Sequence, residues 1–514
     1  MASIMDYPRV PINFNPPVPP LKKIEDKTKI DVRYSVLSPY VVIHIHWDPS
    51  IYEVVYEVEE PRLSPEEEDI REQILIALRD MIDFDAVVKK DTESLLEYID
   101  KKLKIIAFEL GLKISYDTYK KVYYYLVRDF LGFNDIDPLL RDYFAEDIEC
   151  NGANSPVYVV HRIFRNLKTN IIFRDMNQLE NFIEKLAQRS GKHISYASPI
   201  LDGTLPDGSR INATYTEDIT SKGPTFTIRK FTKTPWTPSQ LISFRTLSPE
   251  MLAYLWMLVQ YKMNILVAGG TSSGKTTLLN AIAFFIPPES RVVSIEDTRE
   301  LNLPRENWLP SVARGAIGVG NVGEIDLFTL LKSSFRQNPD YVIVGEVRGK
   351  EAYVLFQGMA SGHSSLSTMH ADSVDTLMKR LETPPIDLSP TLLNVLDCVC
   401  IMTHARVQTY ETRKLREIVE IINITPEGIA LTNTPFIWNP GEDKFYFKKN
   451  SKILEKISKR FGITTDELEA EFKRRAKLLY KMYESKTFDF QQFQDLITQY
   501  YKKPQEVLNK FQVE

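Results

Sequence analysis

A glycine-rich stretch that leads into a helix is the part of this sequence best suited to chemistry. Gly269, four intervening residues and then Gly274-Lys275-Thr276 satisfy the pattern G-x-x-x-x-G-K-[ST]. Glycines let successive backbone N–H groups face one centre, and the helix N-terminus adds partial positive charge. A lysine at this position reaches the β- and γ-phosphates, and the hydroxyl after it serves Mg²⁺. The pattern therefore predicts that the chain binds a nucleoside triphosphate, ATP, with Mg²⁺.

One continuous run is expected to hold the nucleotide. It comprises Gly269, Gly270, Thr271, Ser272, Ser273, Gly274, Lys275, Thr276 and Thr277. The apolar run 265–268 precedes the loop and has the composition of a buried parallel strand, and a helical segment, 276–285, follows it. Because strand, loop and helix arrive in this order, a phosphate loop is favoured over a chance glycine-rich turn.

Hydrolysis needs acidic groups in addition to the phosphate loop. The run 340–346 ends at Glu346, at the carboxyl end of a predicted strand, where ligands bind in open α/β sheets. We assign Glu346, together with Thr276, to Mg²⁺. A neighbouring predicted strand ends in the acidic run 296–300, from which Glu296 or Glu300 could polarise the attacking water.

Two histidines flank the next predicted strand, 365–369. Either His363 or His370 is placed to contact a γ-phosphate or to report its loss, although single histidines are usually structural. Two others, His44 and His46, alternate along one face of an earlier predicted strand. The sequence offers no evident third metal ligand beside them, so we interpret this pair as structural.

Length and composition predict an ordinary globular protein of several domains. The net charge of −5 argues against wholesale coating of nucleic acid, and three cysteines without a C-x-x-C pair argue against a zinc ribbon or a disulfide framework.

We find no signal peptide, and the apolar stretch 251–259 is far short of the about 20 residues that span a bilayer. We expect a soluble protein whose membrane role goes through a partner or a surface contact. The basic run 473–481 suits either a solvated helix face or a contact with a partner or anionic lipid.

Alternating strand and helix patterns after residue 249 predict a mainly parallel sheet with helices on both faces, an α/β fold. Prolines punctuate the N-terminal arm and a linker near residue 236. The predicted organisation is a proline-rich arm with a small β-rich segment (1–60), an α+β domain (61–234), a linker (235–248), a P-loop ATPase domain (249–445) and a helical C-terminal extension (446–514).

Four motifs in order carry a family resemblance. GGTSSGKTT, SIEDTRE, NPDYVIVGEVRG and GHSSLSTMH resemble the Walker A, Asp, Walker B and His boxes of the type II/IV secretion ATPase superfamily. The resemblance implies a RecA-like domain, a magnesium-dependent ATPase and a homo-hexamer that acts on a polytopic membrane platform protein. It also implies a cytoplasmic protein peripheral to the inner face of the membrane. From its place at the end of the acidic box, we expect Glu300 to orient the water.

The resemblance extends into the N-terminal half. LPDGSRINATY and FTIRKF look like the domain from which, in this family, arginines reach the nucleotide across a subunit boundary, at positions that match Arg210 and Arg229. Arg336 and Arg348 are weaker candidates. The chain lacks the tetracysteine site of bacterial pilus ATPases and looks most like the archaellum (archaeal flagellum) motor ATPase. The alternatives are an assembly ATPase of an archaeal type IV pilus or type II secretion-like system, a nucleic-acid translocase with a basic, aromatic-lined channel, and a nucleotide switch with negligible turnover.

Overall fold

The computed structural model describes residues 4–14, 16–19, 21, 24, 26–81, 91–231, 234–315, 323–407, 410–448 and 450–513. The chain divides into two compact units, Met1–Phe231 and Thr232–Glu514. Part of the proline-rich arm therefore lies outside the described residues. Among the residues that are described, every helix is too short or too polar to cross a membrane.

The first unit combines helices with one sheet. Its helices are α1 (Pro65–Met81), α2 (Thr92–Glu109), α3 (Tyr116–Phe130), α4 (Asp137–Arg141) and α5 (Met176–Arg189). Its strands are β1 (Asp31–Leu37), β2 (Val41–Asp48), β3 (Glu53–Glu59), β4 (Ala145–Cys150), β5 (Pro156–His161), β6 (Arg165–Ile172), β7 (Ile200–Thr204), β8 (Arg210–Thr214) and β9 (Thr225–Arg229). The strand order is β1-β2-β3-β6-β5-β4-β9-β8-β7.

This sheet has one apolar face. Ile211, Phe226 and Ile228 alternate with polar residues along β8 and β9 and are buried in a cluster that includes Leu179 and Phe182 of α5. The period of two puts the polar residues of these strands on the opposite face. The amphipathic pattern of the sequence therefore decides which side of the sheet remains polar, and that side carries the arginines considered below.

The start of the chain packs more closely than a proline-rich arm suggests. Ile4 and Val10 are buried in a second apolar cluster of the first unit, with Ile74 of α1 and Leu103 of α2. Proline fixes the backbone but does not prevent the apolar residues between prolines from covering a helix surface. A proline-rich arm is expected to be extended and outside the core, and for Ile4 and Val10 this expectation is wrong.

The second unit is built on a nine-stranded sheet. Its helices are α6 (Pro238–Ser243), α7 (Pro249–Gln260), α8 (Lys275–Ala283), α9 (Leu327–Ser334), α10 (Glu351–Ala360), α11 (Val374–Glu382), α12 (Pro390–Leu393), α13 (Lys452–Phe461), α14 (Thr465–Glu484), α15 (Phe490–Lys502) and α16 (Pro504–Lys510). Its strands are β10 (Ile265–Gly269), β11 (Val292–Glu296), β12 (Trp308–Val312), β13 (Tyr341–Val347), β14 (Ser364–Met369), β15 (Cys398–Val407), β16 (Tyr410–Ile424), β17 (Ala430–Asn439) and β18 (Lys444–Phe447).

The strand order β12-β11-β13-β14-β10-β15-β16-β17-β18 begins with six parallel strands. The strand before the glycine-rich loop, β10, lies in the middle, between β14 and β15, as in a RecA-like domain. Ile265 and Val267 face one apolar cluster and Leu266 and Ala268 face another, so both sides of the sheet are covered. The predicted fold class, a RecA-like α/β domain with an α+β N-terminal part and a helical C-terminal extension, is confirmed.

Two features of the second unit differ from the sequence-based expectation. The antiparallel strands β16, β17 and β18 extend the sheet beyond its parallel part. The sequence-based prediction of a mainly parallel sheet did not distinguish them. In the basic run 473–481, Arg475 is buried, pairs with Glu471 and lies over the ring of Trp256, with its guanidinium carbon 4.6 Å from the ring centroid. Neither reading of that run as a wholly exposed surface fits Arg475.

The buried carboxylate of Glu420, on β16, joins the sheet to the start of α13. It accepts hydrogen bonds from the hydroxyls of Tyr254 and Ser451, from the side-chain amide of Asn433 at 2.7 Å and from the backbone N–H of Lys452 at 2.8 Å. The backbone N–H of Ile453 also donates to it, at 3.4 Å. Five donors on three segments of chain therefore depend on one side chain.

We expect Glu420→Ala to lower the free energy of unfolding by at least about 2 kcal/mol, because each buried donor left without an acceptor costs about 1–3 kcal/mol. Urea titration followed by tryptophan fluorescence measures the change. Glu455→Ala is the control, since Glu455 pairs with Lys452 at an exposed position. Equal stability of the two variants would contradict this role for Glu420.

Candidate nucleotide-binding site

The glycine-rich loop joins the carboxyl end of β10 to the N-terminus of α8. Gly274 caps that helix with φ of 95°, in the left-handed region where a side chain is disfavoured. At Gly269 the reason for glycine is space, because a Cβ there would lie 2.5 Å from the carbonyl oxygen of Met402, on β15. Glycines at these two positions thus let the loop curl tightly against the neighbouring strand.

Lys275, the first residue of α8, lies back across the loop. Its Nζ donates to the carbonyl oxygen of Gly270 at 3.0 Å. Partial burial lowers the pKa of Lys275, while the carboxylates of Glu346 and Glu300 act in the opposite direction. The oxygens of a bound phosphate could accept the hydrogen bond of Lys275 in place of the Gly270 carbonyl. The arrangement therefore fits a nucleotide whose negative charge would attract this ammonium group.

Glu296 ends β11 and is 1% exposed. Its Oε1 accepts the backbone N–H groups of Glu300 at 2.9 Å and Leu301 at 2.8 Å, while its Oε2 has no hydrogen-bond partner among the described residues. Burial raises the pKa of Glu296 to about 7, against the effect of these two hydrogen bonds. Gly345 on β13 makes room, since a Cβ there would lie 3.0 Å from Cγ of Glu296.

Glu300 follows on the turn that Glu296 holds. Asn280, on α8, braces this turn: its amide donates to the carbonyl of Glu300 at 3.3 Å and its oxygen accepts the N–H of Asn302 at 3.1 Å. Asn280 was not predicted from the sequence, where its position one helical turn beyond Thr276 was the available signal. The acidic turn is therefore fixed to the same helix that carries Lys275.

Glu346 lies at the carboxyl end of β13, in an irregularity of its pairing with β14 between Val344 and Val347. Thr368, on β14, donates to the carbonyl of Gly345 at 2.6 Å and so supports the irregularity. The carboxylate of Glu346 pairs with Arg348, which also approaches Asp297 at 3.5 Å. Arg348, a weak candidate from sequence, is thus in contact with the predicted Mg²⁺ ligand.

The two histidines of the His box lie at opposite ends of β14. His370 follows the strand, and its Nε2 is 2.7 Å from Oγ1 of Thr271 in the phosphate loop, a hydrogen bond whose direction depends on the tautomer. His363 precedes the strand and packs against Phe335. Six residues of strand, about 20 Å, separate these ends, so the structure does not bring His363 to the phosphate loop.

The two candidate arginines lie in the first unit, on the polar face of its sheet. Arg210 and Arg229 face each other across β8 and β9. Arg210 makes a two-point contact with Asp202, at 3.2 and 2.9 Å, and Arg229 donates to Asp147 at 3.0 Å. Both side chains keep about half of their surface exposed, at 43% and 64%.

The second unit therefore gathers the phosphate loop, Glu296, Glu300, Glu346 and His370 at the carboxyl edge of its parallel strands. A family model described as Type II/IV secretion system protein matches residues 133–404, over half of the chain. Uncharacterized protein MJ0900 of Methanocaldococcus jannaschii is 40% identical over 403 residues, which cover 76% of this chain and 72% of that protein. The chain belongs to the type II/IV secretion system family.

Relatives with assigned systems share shorter regions with this secretion-family protein. The type IV secretion system protein PtlH of Bordetella pertussis is 34% identical over 204 residues, which cover 36% of this chain and 60% of that protein. A crystal structure of the VirB11 ATPase from the Brucella suis type IV secretion system, in complex with sulphate, is 26% identical with a TM-score of 0.29 and covers 55% of this chain and 90% of that chain.

The raised pKa of Glu296 predicts a pH-dependent contribution to the stability of this family member. Because the pKa of Glu296 is higher in the folded than in the unfolded chain, its neutral form favours folding. This contribution to stability is complete below the ordinary pKa of 4.5 and is lost as the pH rises through about 7. Glu296→Gln keeps an oxygen for the two N–H groups and cannot ionise. From pH 5 to pH 8, we expect its melting temperature to rise relative to that of the wild type, by up to the equivalent of about 3 kcal/mol.

Scanning calorimetry of the nucleotide-free protein at both pH values measures this relative shift. Glu289→Gln is the control, because Glu289 is an exposed glutamate near the same strand. A shift for Glu296→Gln no larger than that of the control would show that Glu296 ionises without penalty.

Proposed function

We propose that this chain hydrolyses ATP and couples the reaction to mechanical work on a polytopic membrane platform protein. The observation that carries the proposal is the convergence of a phosphate loop and three glutamates at one edge of a parallel sheet. A phosphate-binding loop alone would serve a switch as well, but Glu300 and Glu346 beside Lys275 supply groups that phosphoryl transfer to water requires.

Each residue has a proposed role. The loop 269–277 would cradle the phosphates with its N–H groups, and Lys275 would neutralise charge on the β- and γ-phosphates. Glu300 would accept a hydrogen bond from the attacking water, with Glu296 as the positioning residue that fixes its turn. His370 contacts Thr271 and would therefore register whether the loop is occupied.

Magnesium fits the same edge of the sheet. A hydroxyl and a carboxylate are ligands that Mg²⁺ prefers, and Thr276 and Glu346 supply them. Bound there, Mg²⁺ would add positive charge against the β- and γ-phosphates. In this structure Arg348 forms an ion pair with Glu346. Binding of Mg²⁺ to Glu346 would therefore require that Arg348 move away from this carboxylate.

Arg210 and Arg229 are proposed to act on the nucleotide of a neighbouring copy within a hexameric ring. A guanidinium donates two hydrogen bonds to phosphoryl oxygens and stabilises the charge that develops in the transition state. The polar face that carries both arginines supports this proposal, because both guanidinium groups are about half exposed. The pair of Arg210 with Asp202, which is itself about half exposed, contributes little to stability.

We further propose that the work drives assembly and rotation of an archaellum, with assembly of an archaeal type IV pilus as the alternative. Membership of the secretion family supports both outcomes equally, since the motifs at the phosphate loop are common to them. The proposed location is the cytoplasm, against the inner face of the cell membrane.

Lys275→Ala is expected to abolish ATP turnover, because the loop loses the charge that contacts the transferred phosphoryl group. A phosphate-release assay measures turnover, and circular dichroism checks the fold. Lys262→Ala is the control, since Lys262 forms an exposed ion pair with Asp340 at the opposite edge of the sheet. Turnover by Lys275→Ala at the wild-type rate would overturn the proposal.

The same variant distinguishes the two biological outcomes in the native cell. Lys275→Ala introduced at the chromosomal locus removes swimming if the chain drives the archaellum and removes surface pili if it drives a pilus. Electron microscopy and motility tracking separate these results.

Arg210→Ala is expected to lower turnover by at least about 10³-fold while nucleotide binding persists, the range measured for arginines that act between subunits. Arg174→Ala, at an exposed arginine of the same unit, is the control. Mixing Arg210→Ala with Lys275→Ala should restore part of the activity, because some sites then combine an intact loop with an intact arginine. Full activity of Arg210→Ala alone would exclude its role.

A further inference from the structure

The polar face of β1, β2 and β3, remote in sequence from the phosphate loop, brings metal-ligating residues together. His44 and His46 alternate on β2 and therefore point to the same side of the sheet. Across the ladder, Glu57 of β3 is the direct partner of His44. One nitrogen or oxygen atom from each of these three residues lies within 4.8 Å of the others. The third ligand that the sequence did not reveal is thus supplied by the neighbouring strand.

We propose that His44, His46 and Glu57 form a binding site for a divalent transition-metal cation, Zn²⁺ first. Two imidazoles and one carboxylate make up a donor set that Zn²⁺ takes readily, with a fourth position for water. Ligand atoms around tetrahedral Zn²⁺ lie about 3.3 Å apart, from Zn–N bonds of about 2.0–2.1 Å. The three candidate atoms already lie within 4.8 Å of one another, so side-chain rotations that bring them closer by up to about 1.5 Å would close the remaining gap.

The surroundings of the two rings support a ligand role. Nδ1 of His46 is buried and has no hydrogen-bond partner among the described residues, so a ring nitrogen is left without the contact it normally makes. The rings of His44 and His46 are stacked, with centroids 4.2 Å apart. A metal ion bound to Nδ1 of His46 would supply the contact that this nitrogen lacks.

His44 is also oriented as metal-binding histidines are. Its Nε2 lies 2.8 Å from Oδ1 of Asp31, on β1, and a ligating histidine commonly donates its other ring N–H to a carboxylate. With that bond in place, Nδ1 of His44, which also lies 3.5 Å from Oε1 of Glu59, is the nitrogen that would bind the metal. The guanidinium of Arg33 lies 3.2 Å from this nitrogen and competes with a cation for it.

The competition from Arg33 can be relieved within the same face. Arg33 is 59% exposed and pairs with Glu59 at 3.1 Å, so its guanidinium can remain on Glu59 when a metal takes the nitrogen. Removing Arg33 should therefore strengthen metal binding, whereas a purely structural pair of histidines predicts no effect. The proposed metal site lies on the polar face of β1, β2 and β3. It uses none of the residues assigned to nucleotide binding.

The test is calorimetric titration of ZnCl₂ into the full chain, stripped with chelator and kept in excess Mg²⁺ without nucleotide. We expect one Zn²⁺ per chain, weakened about tenfold or more by His46→Gln and by Glu57→Gln, and tightened by Arg33→Ala. Glu57→His, which completes a three-imidazole set, should also tighten binding. His193→Gln, at an exposed histidine of the same unit, should leave the affinity unchanged.

Co²⁺ absorption provides a second readout that does not depend on heat. Tetrahedral Co²⁺ gives intense visible bands, which should appear with the wild type and disappear with the His44→Gln, His46→Gln double variant. Circular dichroism confirms that the variants fold. Zn²⁺ affinity equal in the wild type and the double variant, or no Zn²⁺ bound by the wild type, would overturn the proposal.

Discussion

One buried carboxylate organises the acidic side of the candidate nucleotide site. Through a single oxygen, Glu296 holds the N–H groups of Glu300 and Leu301, which fixes the turn after β11. Burial disfavours the ionised form of that carboxyl, so its pKa rises to about 7. Near neutral pH the group exchanges between a charged and a neutral form. The position of Glu300 is thus set by a residue, Glu296, that is only partly ionised near neutral pH.

The direction of the strands explains why the other groups meet Glu296. Parallel strands end at the same edge, so loops that follow β10, β11, β13 and β14 converge although they are separated by tens of residues in sequence. Close contact then depends on small residues. Gly269 admits the carbonyl of Met402, and Gly345 admits the side chain of Glu296. Larger residues at either place would separate the loops that the sheet brings together.

Much of this arrangement could be predicted from sequence because it depends on local pattern. Spacing identified Lys275 and its loop, and apolar runs that end in acids located Glu296 and Glu346. His363 and His370 remained alternatives in the sequence, and the structure separates them, because only the residue after a parallel strand lies at the carboxyl edge. The residue pattern alone left the roles of Glu296 and Glu300 open, and only the family resemblance favoured Glu300. Burial of Glu296 depends on its packing against Gly345, which lies on a strand distant in sequence. Glu57 escaped notice because strand pairing, rather than spacing, places it beside His44.

The arginines of the first unit illustrate how an ion pair can orient a side chain that remains able to exchange its partner. Arg210 lies in a two-point contact with Asp202 that fixes the guanidinium plane. Both side chains are about half exposed, and such pairs contribute about 0–1 kcal/mol to stability. A phosphoryl group carries more charge than one carboxylate and can bind the same two N–H groups. In the proposed role, exchange of Asp202 for phosphate would therefore require little energy, and the aspartate would keep the arginine oriented until that exchange.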